Sequence, residues 1–439
     1  MTKLIDRFLR YVKVDTQANL NSSAHPTSPG QRMLAHYIAD ELRQIGMENV
    51  RTTDQAYLYA ELAATPGLEH VPALGFIAHL DTAPDASGSY VNPSVIEYAG
   101  GDIPLGNSGK VLSPDEFSAL RRLVGHRLIV TDGTTLLGAD DKAGVAEIVH
   151  AMDTIISNGI PHGKLCVAFT TDEEIGFGAD FFDVENFGAK YAYTIDGGAV
   201  GEIEYENFNA AMARIKITGK SIHTGLAKGI MKNASCIACE FVSMLPEDEV
   251  PAKTDGMEGF YHLASMKGEV AEANMIYLLR DFDKEMLQER KLQIYSIAEE
   301  LNENGKTSYY AQMFTQTQVF HKHFSEEELN EKYGAGTVAV EMIDQYSNMK
   351  EIIDQHPILI KLAEKAIYDV GYIPISWPIR GGTDGSNLSY KGLPCPNLGT
   401  GGYNPHGVYE FASLNEMELS VEIMLNIISG LIDASNEKL

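Results

Sequence analysis

The sequence predicts an α/β protein: a larger domain with a mixed sheet flanked by helices, plus an inserted smaller α+β domain. Three observations carry this reading. Up to about residue 207, short apolar runs alternate with amphipathic runs at helical spacing, as strands and helices do when packed in layers. At Phe208 the pattern changes to strands that alternate apolar and polar residues, the mark of half-exposed antiparallel pairing. From His356 the layered pattern returns. The larger domain is therefore expected at 1–207 and 350–439, discontinuous in sequence, and the smaller one at 208–349.

In order, residues 3–14 form a charged amphipathic helix, and residues 15–30 are a polar loop containing Pro26 and Pro29. Gln31 to Gly46 is a second helix, with Gly46 as its stop. Strands follow near Tyr57–Leu62 and Leu74–His79, then a long polar excursion over 85–126. Leu128–Thr131 is a strand leading into the turn Leu136–Gly144 and a helix to about Asn158. Gly138 and Gly144 suit a tight turn and a close backbone approach. Lys164–Thr171 and Tyr191–Ile195 are further strands.

The inserted unit reads β-α-β-β-α-β. Its elements are a strand Ala211–Thr218, a helix over 233–245, strands Gly259–Lys267 and Asn274–Asp283, a helix Lys284–Asn302 and a last strand Thr337–Ile343. Residues 303–336 form a loop-rich insertion with no assigned place. Helices Ile358–Val370 and Leu414–Leu431 complete the larger domain.

Composition narrows the function classes. With 61 acidic and 34 basic residues, the net charge of −27 argues against nucleic acid or an anionic membrane as partner, since both need basic patches. A cationic substrate or divalent cations fit better. No apolar run approaches the ~18 residues of a membrane span, and the charged start lacks a signal-peptide core, so a cytoplasmic protein is expected. Four cysteines are too few for a disulfide scaffold, and Cys236-x-x-Cys239 lies in a helix interior, where core packing is expected.

Four predicted strands share one feature. They lead to His79/Asp81, Asp140/Asp141, Glu173/Glu174 and Asp196, each followed by a glycine- or proline-containing turn. Any one of these is equally an exposed acidic turn or a helix cap; the repetition is the signal. Parallel strands would bring all four ends to one sheet edge, where ligands bind in such folds. A histidine and several carboxylates there make a site for a hard or borderline metal ion. Residues 79 and 81 share a strand face, and a ligating imidazole usually needs a carboxylate nearby to fix its tautomer.

The ordered set His79-x-Asp81, Asp140-Asp141-Lys142 between glycines, Asp172-Glu173-Glu174, Asp196-Gly197-Gly198 and Pro405-His406-Gly407 resembles the co-catalytic di-zinc metallopeptidases, the family that includes aminoacylases and glutamate carboxypeptidases. Gly259–Gly268, Arg280–Asp283, Arg380–Gly385 and Leu393–His406 extend the likeness over nearly the whole chain. It implies a zinc-peptidase-like catalytic domain with an inserted lid/dimerisation domain, two Zn2+ per subunit (Co2+ or Mn2+ as substitutes), a short peptide substrate and a homodimer through the inserted domain.

Residue by residue, the resemblance implies that Asp140 bridges two metals. His79 and Asp196 complete one site, and Glu174 and His406 the other. Glu173 would be the general base, with Asp81 orienting His79. His223 would stabilise the oxyanion, although Thr224 follows it where the family often has proline. Asn274, Arg280 and Arg380 fall where substrate is contacted; from the residues alone, Arg280 serves equally in an ion pair with Asp281 or Asp283. Asp141 reads as a support or an exposed cap.

The activity implied is release of the N-terminal residue from tripeptides by metal-activated water. Ligand spacing alone equally permits a dipeptidase, a carboxypeptidase or an N-acyl amidohydrolase. A non-catalytic peptide- or metal-binding member would usually lack a ligand or the base, and here the full set is present.

Overall fold

The chain divides into two units: Met1–Tyr205 with Met349–Trp377 and Thr383–Leu439, and Glu206–Asn348 with Pro378–Gly382. The computed structural model describes residues 3–303 and 337–437, so the 303–336 insertion lies, but for its first residue, outside the described residues.

The first unit begins with α1 (Lys3–Tyr11), α2 (Pro29–Ile45), β1 (Glu48–Thr52), β2 (Leu58–Leu62), β3 (Leu74–His79), β4 (Ser94–Glu97), β5 (Ile103–Pro104), β6 (Val111–Leu112) and β7 (Arg127–Val130). It continues with α3 (Ala139–Asn158), β8 (Leu165–Thr170), α4 (Val184–Phe187), β9 (Tyr191–Gly197) and β10 (Ile203–Glu204). The second unit holds β11 (Asn209–Thr218), α5 (Ala234–Ser243), β12 (Phe260–Gly268), β13 (Glu272–Asp281), α6 (Lys284–Glu303) and β14 (Val338–Tyr346). The first unit resumes with α7 (Lys350–Ile353), α8 (Pro357–Asp369), α9 (Asp384–Tyr390), β15 (Asn397–Gly399), β16 (Gly402–Tyr403), β17 (Phe411–Ser413) and α10 (Leu414–Asn436).

β3 and β8 are unbroken apolar runs because they are buried along their whole length. They lie in a seven-stranded sheet of order β1-β2-β8-β3-β9-β15-β10. Its middle pairs, β8–β3, β3–β9 and β9–β15, are parallel, and its outer pairs are antiparallel. Parallel strands need both faces covered. On one face Phe76 and Val167 pack with Leu34, Ile148, Leu359 and Met424 from the helices. On the other, Ile77 and Ala168 meet Phe187 and Leu388. Each fully buried large side chain contributes roughly 1.5–3 kcal/mol.

This topology carries His79, the segment after Thr170 and Asp196 to one sheet edge, with His79 directly paired to Thr170. The expectation that a fourth parallel strand delivers Asp140 is corrected. β7 belongs to a separate antiparallel sheet, β16-β17-β7-β4, paired on one side with β17 and on the other with β4 from the 85–126 excursion. Asp140 instead arrives in the kinked segment that enters α3, where Asp140 and Asp141 have non-helical backbone angles. Gly138, at φ +81°, turns the chain into that helix. Gly144 lets the helix approach β9, since a Cβ there would lie 1.8 Å from the Ile195 carbonyl oxygen.

The second unit is a four-stranded antiparallel sheet of order β12-β13-β11-β14, with a core that includes Ile215, Phe241, Leu279, Ile294 and Val340. The expected core packing of Cys236 and Cys239 is also corrected: both are exposed. On α5 the core-facing stripe is Ala234, Ala238 and Phe241, at i, i+4 and i+7, and the cysteines fall off it. Among the described residues, no helix is long and apolar enough to cross a membrane.

Candidate metal centre

His79 is the last residue of β3 and is buried. Its Nδ1 lies 3.1 Å from the Asp81 carbonyl oxygen and 3.5 Å from Asp81 Oδ1. A carbonyl only accepts, so Nδ1 carries the proton and Nε2 is left to ligate. Nε2 stands 2.8 Å from Asp140 Oδ1 and 3.3 Å from Asp196 Oδ1. The other oxygen of Asp140, Oδ2, faces His406 Nε2 at 3.3 Å, and that nitrogen is 2.9 Å from Glu174 Oε2. One carboxylate therefore stands between two imidazoles, each with its own second acid. Single ligand atoms of His79, Asp140 and Glu174 all lie within 4.8 Å of one another, as do those of His79, Asp141 and Asp196.

The backbone beneath these side chains is fastened by buried polar groups from other segments. Asp81 accepts the N–H groups of Glu173 and Glu174, both at 3.1 Å. Asp141, buried rather than an exposed cap, accepts the N–H of His79 at 3.1 Å and of Gly144 at 3.2 Å. Asp196 donates its N–H to Asn397 Oδ1 at 3.1 Å, and Asn397 donates to Glu204 at 2.7 Å. Asp172, at φ +61° just before the two glutamates, accepts hydrogen bonds from Thr27 and Gln31. Asp384 accepts from Thr170 at 2.7 Å, and Glu410 accepts from the turn that holds Asp140. Asn397, Asp384 and Glu410 escape the sequence reading. For Asn397 and Glu410 the one local signal is a polar residue beside apolar neighbours, as in Tyr409-Glu410-Phe411; Asp384 sits in the polar run Gly381–Ser386.

The protein's own charges are poorly balanced here. Burial pushes Asp196 up to about 7, and burial with Asp140 nearby pushes Glu174 up to about 7. Burial also carries Glu173 and Asp141 well above the usual carboxylate range. Asp140 goes the other way: burial would raise it, but hydrogen bonds from His406 and His79 hold it well below that range. The same contacts push His406 up to about 11, and against burial Asp196 and Asp140 lift His79 well above the ordinary imidazole value. Glu174 Oε1 is buried with no hydrogen-bond partner among the described residues. Crowded carboxylates, a buried and an exposed imidazole both turned toward them, and an orphaned carboxylate oxygen fit divalent cations, and nitrogen-with-oxygen donors suit borderline ions.

The remaining candidates belong to the second unit. His223 is exposed and heads a short turn; its Nδ1 accepts the Gly225 N–H at 3.1 Å, so its proton sits on Nε2. Asn274 is exposed on β13 and donates to Glu272 at 2.9 Å. Arg280 is not paired with Asp281 or Asp283: its Nη1 donates to the carbonyls of Ala211 and Leu279, and it lies over the Tyr346 ring. Asp281 instead binds Arg290 at 2.9 Å. Arg380 sits over Phe208 and Phe260, and both its Nη groups donate to the loop 254–258.

Comparison with known proteins gives the family. The profile of peptidase family M20/M25/M40 matches residues 130–430. Peptidase T of Clostridium perfringens is 51% identical over 430 residues, covering 98% of this chain and 98% of that protein. Among solved structures, aminopeptidase PepT from Bacillus cereus aligns at TM-score 0.69 and 22% identity over 98% of both chains. A dinuclear metal-binding peptidase of Bacillus subtilis aligns at TM-score 0.60 and 14% identity, also over 98% of both; at such identities the likeness is one of fold. With the profile spanning more than half of the chain and a relative at half identity along nearly its whole length, the chain belongs to peptidase family M20/M25/M40 and is a metal-dependent hydrolase.

Proposed function

We propose that this protein is a two-zinc aminopeptidase that releases the N-terminal residue of short peptides, tripeptides first. The observation that carries the reading is the Asp140 carboxylate between His79 and His406, with Asp196 beside one imidazole and Glu174 beside the other. In it, Asp140 would serve both ions, His79 and Asp196 would hold one, and Glu174 and His406 would hold the other. Zinc is the ion of this reading, with Co2+ or Mn2+ as substitutes. Held by these residues, such ions would supply Lewis-acid polarisation of the scissile carbonyl and a water acidic enough to be a nucleophile near neutral pH.

The chain's own residues do the rest. Glu173 takes the proton of the attacking water and returns it to the leaving amine. Asp81 holds Glu173 and Glu174 by their main chains and keeps the His79 tautomer. His223, with its proton on Nε2, donates to the developing oxyanion. Arg280, whose Nε and Nη2 have no partner among the described residues, grips the peptide's terminal carboxylate, and Asn274 contacts the peptide. Arg380 would reach substrate through Nε or by exchanging its present partners. In this reading residues 1–207 and 350–439 are the catalytic domain, and 208–349 a lid that also joins two subunits. Four free cysteines suit a reducing, cytoplasmic compartment.

The test is hydrolysis of Ala-Ala-Ala by metal-free and zinc-restored protein, beside N-acetylated and C-amidated forms. Zinc-dependent release of the first alanine, abolished by acetylation, is expected. Cleavage that survives acetylation but fails on the amide would make the protein a carboxypeptidase. No cleavage with two zinc ions bound would make it an amidohydrolase of another substrate or a binding protein.

A further inference from the structure

We propose that Glu410 is a positioning residue of the metal centre, setting where Asp140 stands relative to His406. It is almost wholly buried. Its Oε2 accepts the N–H groups of Leu137 and Gly138, both at 2.7 Å, and its Oε1 accepts that of Asp140 at 3.0 Å. One carboxylate thus gathers three N–H groups of the turn leading into α3, a main-chain nest around an anion. Hydrogen bonds to a charged acceptor are shorter and stronger than neutral ones.

The other end of the strut is equally fixed. The Glu410 N–H donates to the Gly407 carbonyl at 3.2 Å, which closes a turn directly after His406. Phe411, the next residue, enters β17 and pairs with Val130. Asp140 and Glu410 are 270 positions apart, so this contact ties two ligand-bearing segments that nothing local relates. The consequence is uneven. His79 and Asp196 sit on strands of the seven-stranded sheet, whereas His406 sits on a loop whose distance from Asp140 this carboxylate fixes. Glu410 therefore governs the Glu174–His406 side of the centre more than the His79–Asp196 side.

The inference rests on the two-metal reading, and Co2+ titration of metal-free protein followed by absorbance separates the two. Wild type takes up two Co2+; if it does not, the two-metal reading itself fails. Glu410→Gln keeps the volume but sets an amide NH2 against main-chain N–H donors. It is expected to keep the tighter Co2+ and bind the second about 10–100-fold more weakly, with an altered visible spectrum and a folded circular dichroism signal. An unchanged two-step titration, an equal loss at both steps, or a lower melting temperature with wild-type Co2+ binding overturns the proposal. Should Glu410→Gln not fold, Glu410→Asp, which keeps the charge and shortens the reach, is judged by the same titration.

Discussion

Asp81 fastens Glu173 by its main chain: Oδ1 accepts the Glu173 N–H at 3.1 Å while Oδ2 accepts that of Glu174 at 3.1 Å. A single buried carboxylate so fixes two neighbouring acids, one facing His406 and the other left without an imidazole contact. The same device recurs at His79, Asp196 and Asp140, whose N–H groups are held by Asp141, Asn397 and Glu410. Side chains aimed from a main chain held this way keep their geometry before any ligand arrives.

Asp81→Ala removes the acceptor for both glutamate N–H groups and is expected to cost metal affinity and turnover together. Changes to such outer partners typically cost 10–100-fold, roughly, in metal affinity. Chelator competition measures this. Wild-type affinity combined with lost turnover would limit Asp81 to the chemical step.

Glu173→Ala is expected to retain its metal and lose on the order of 10²–10⁴ in rate. Metal analysis and kcat on Ala-Ala-Ala are measured on the same preparation. Near-normal turnover would remove Glu173 as the general base.

His223→Ala is expected to keep full metal content and lower kcat by about 10²–10³ with little change in KM, the size seen when one oxyanion donor is lost. Loss of zinc from the variant would make His223 a ligand instead.

Glu147 offers a test of stability rather than chemistry. It lies inside α3, buried, and neither carboxyl oxygen makes a hydrogen bond among the described residues. Burial pushes its pKa well above the usual carboxylate range. A pKa raised on folding means a contribution fully present below the unfolded value and lost as pH climbs toward the folded one. Glu147→Met, of similar volume and without oxygens, is expected to raise stability by about 1–3 kcal/mol near pH 8 and by less near pH 5. Equal shifts in melting temperature at both pH values would exclude ionisation of Glu147 as the cause.

Much of the fold is legible in the sequence because each element is a local pattern. The apolar runs of β3, β8 and β9 and the amphipathic helices need only neighbours a few positions away to show themselves. The candidate ligands are legible for a related reason: His79, Asp140, Glu174 and Asp196 are polar groups at the ends of apolar strands or the start of an apolar helix, where a buried acid calls for compensation. Cys236 and Cys239 mislead because a short apolar helix does not declare which face its partner covers; the stripe of Ala234, Ala238 and Phe241 decides it.

The sequence by itself determined the principal strands and helices, their order, and the residue types able to hold a divalent ion. Only the tertiary structure decided that β7 leaves the main sheet, that Asp140 therefore comes in on the kinked segment entering α3, and that Asp81, Asn397 and Glu410 act on the main chain of other segments. The physical reason lies in the donors. Every non-proline residue carries the same N–H, so a carboxylate that binds the N–H of Asp140 from 270 positions away leaves no pattern in either stretch until the chain has folded.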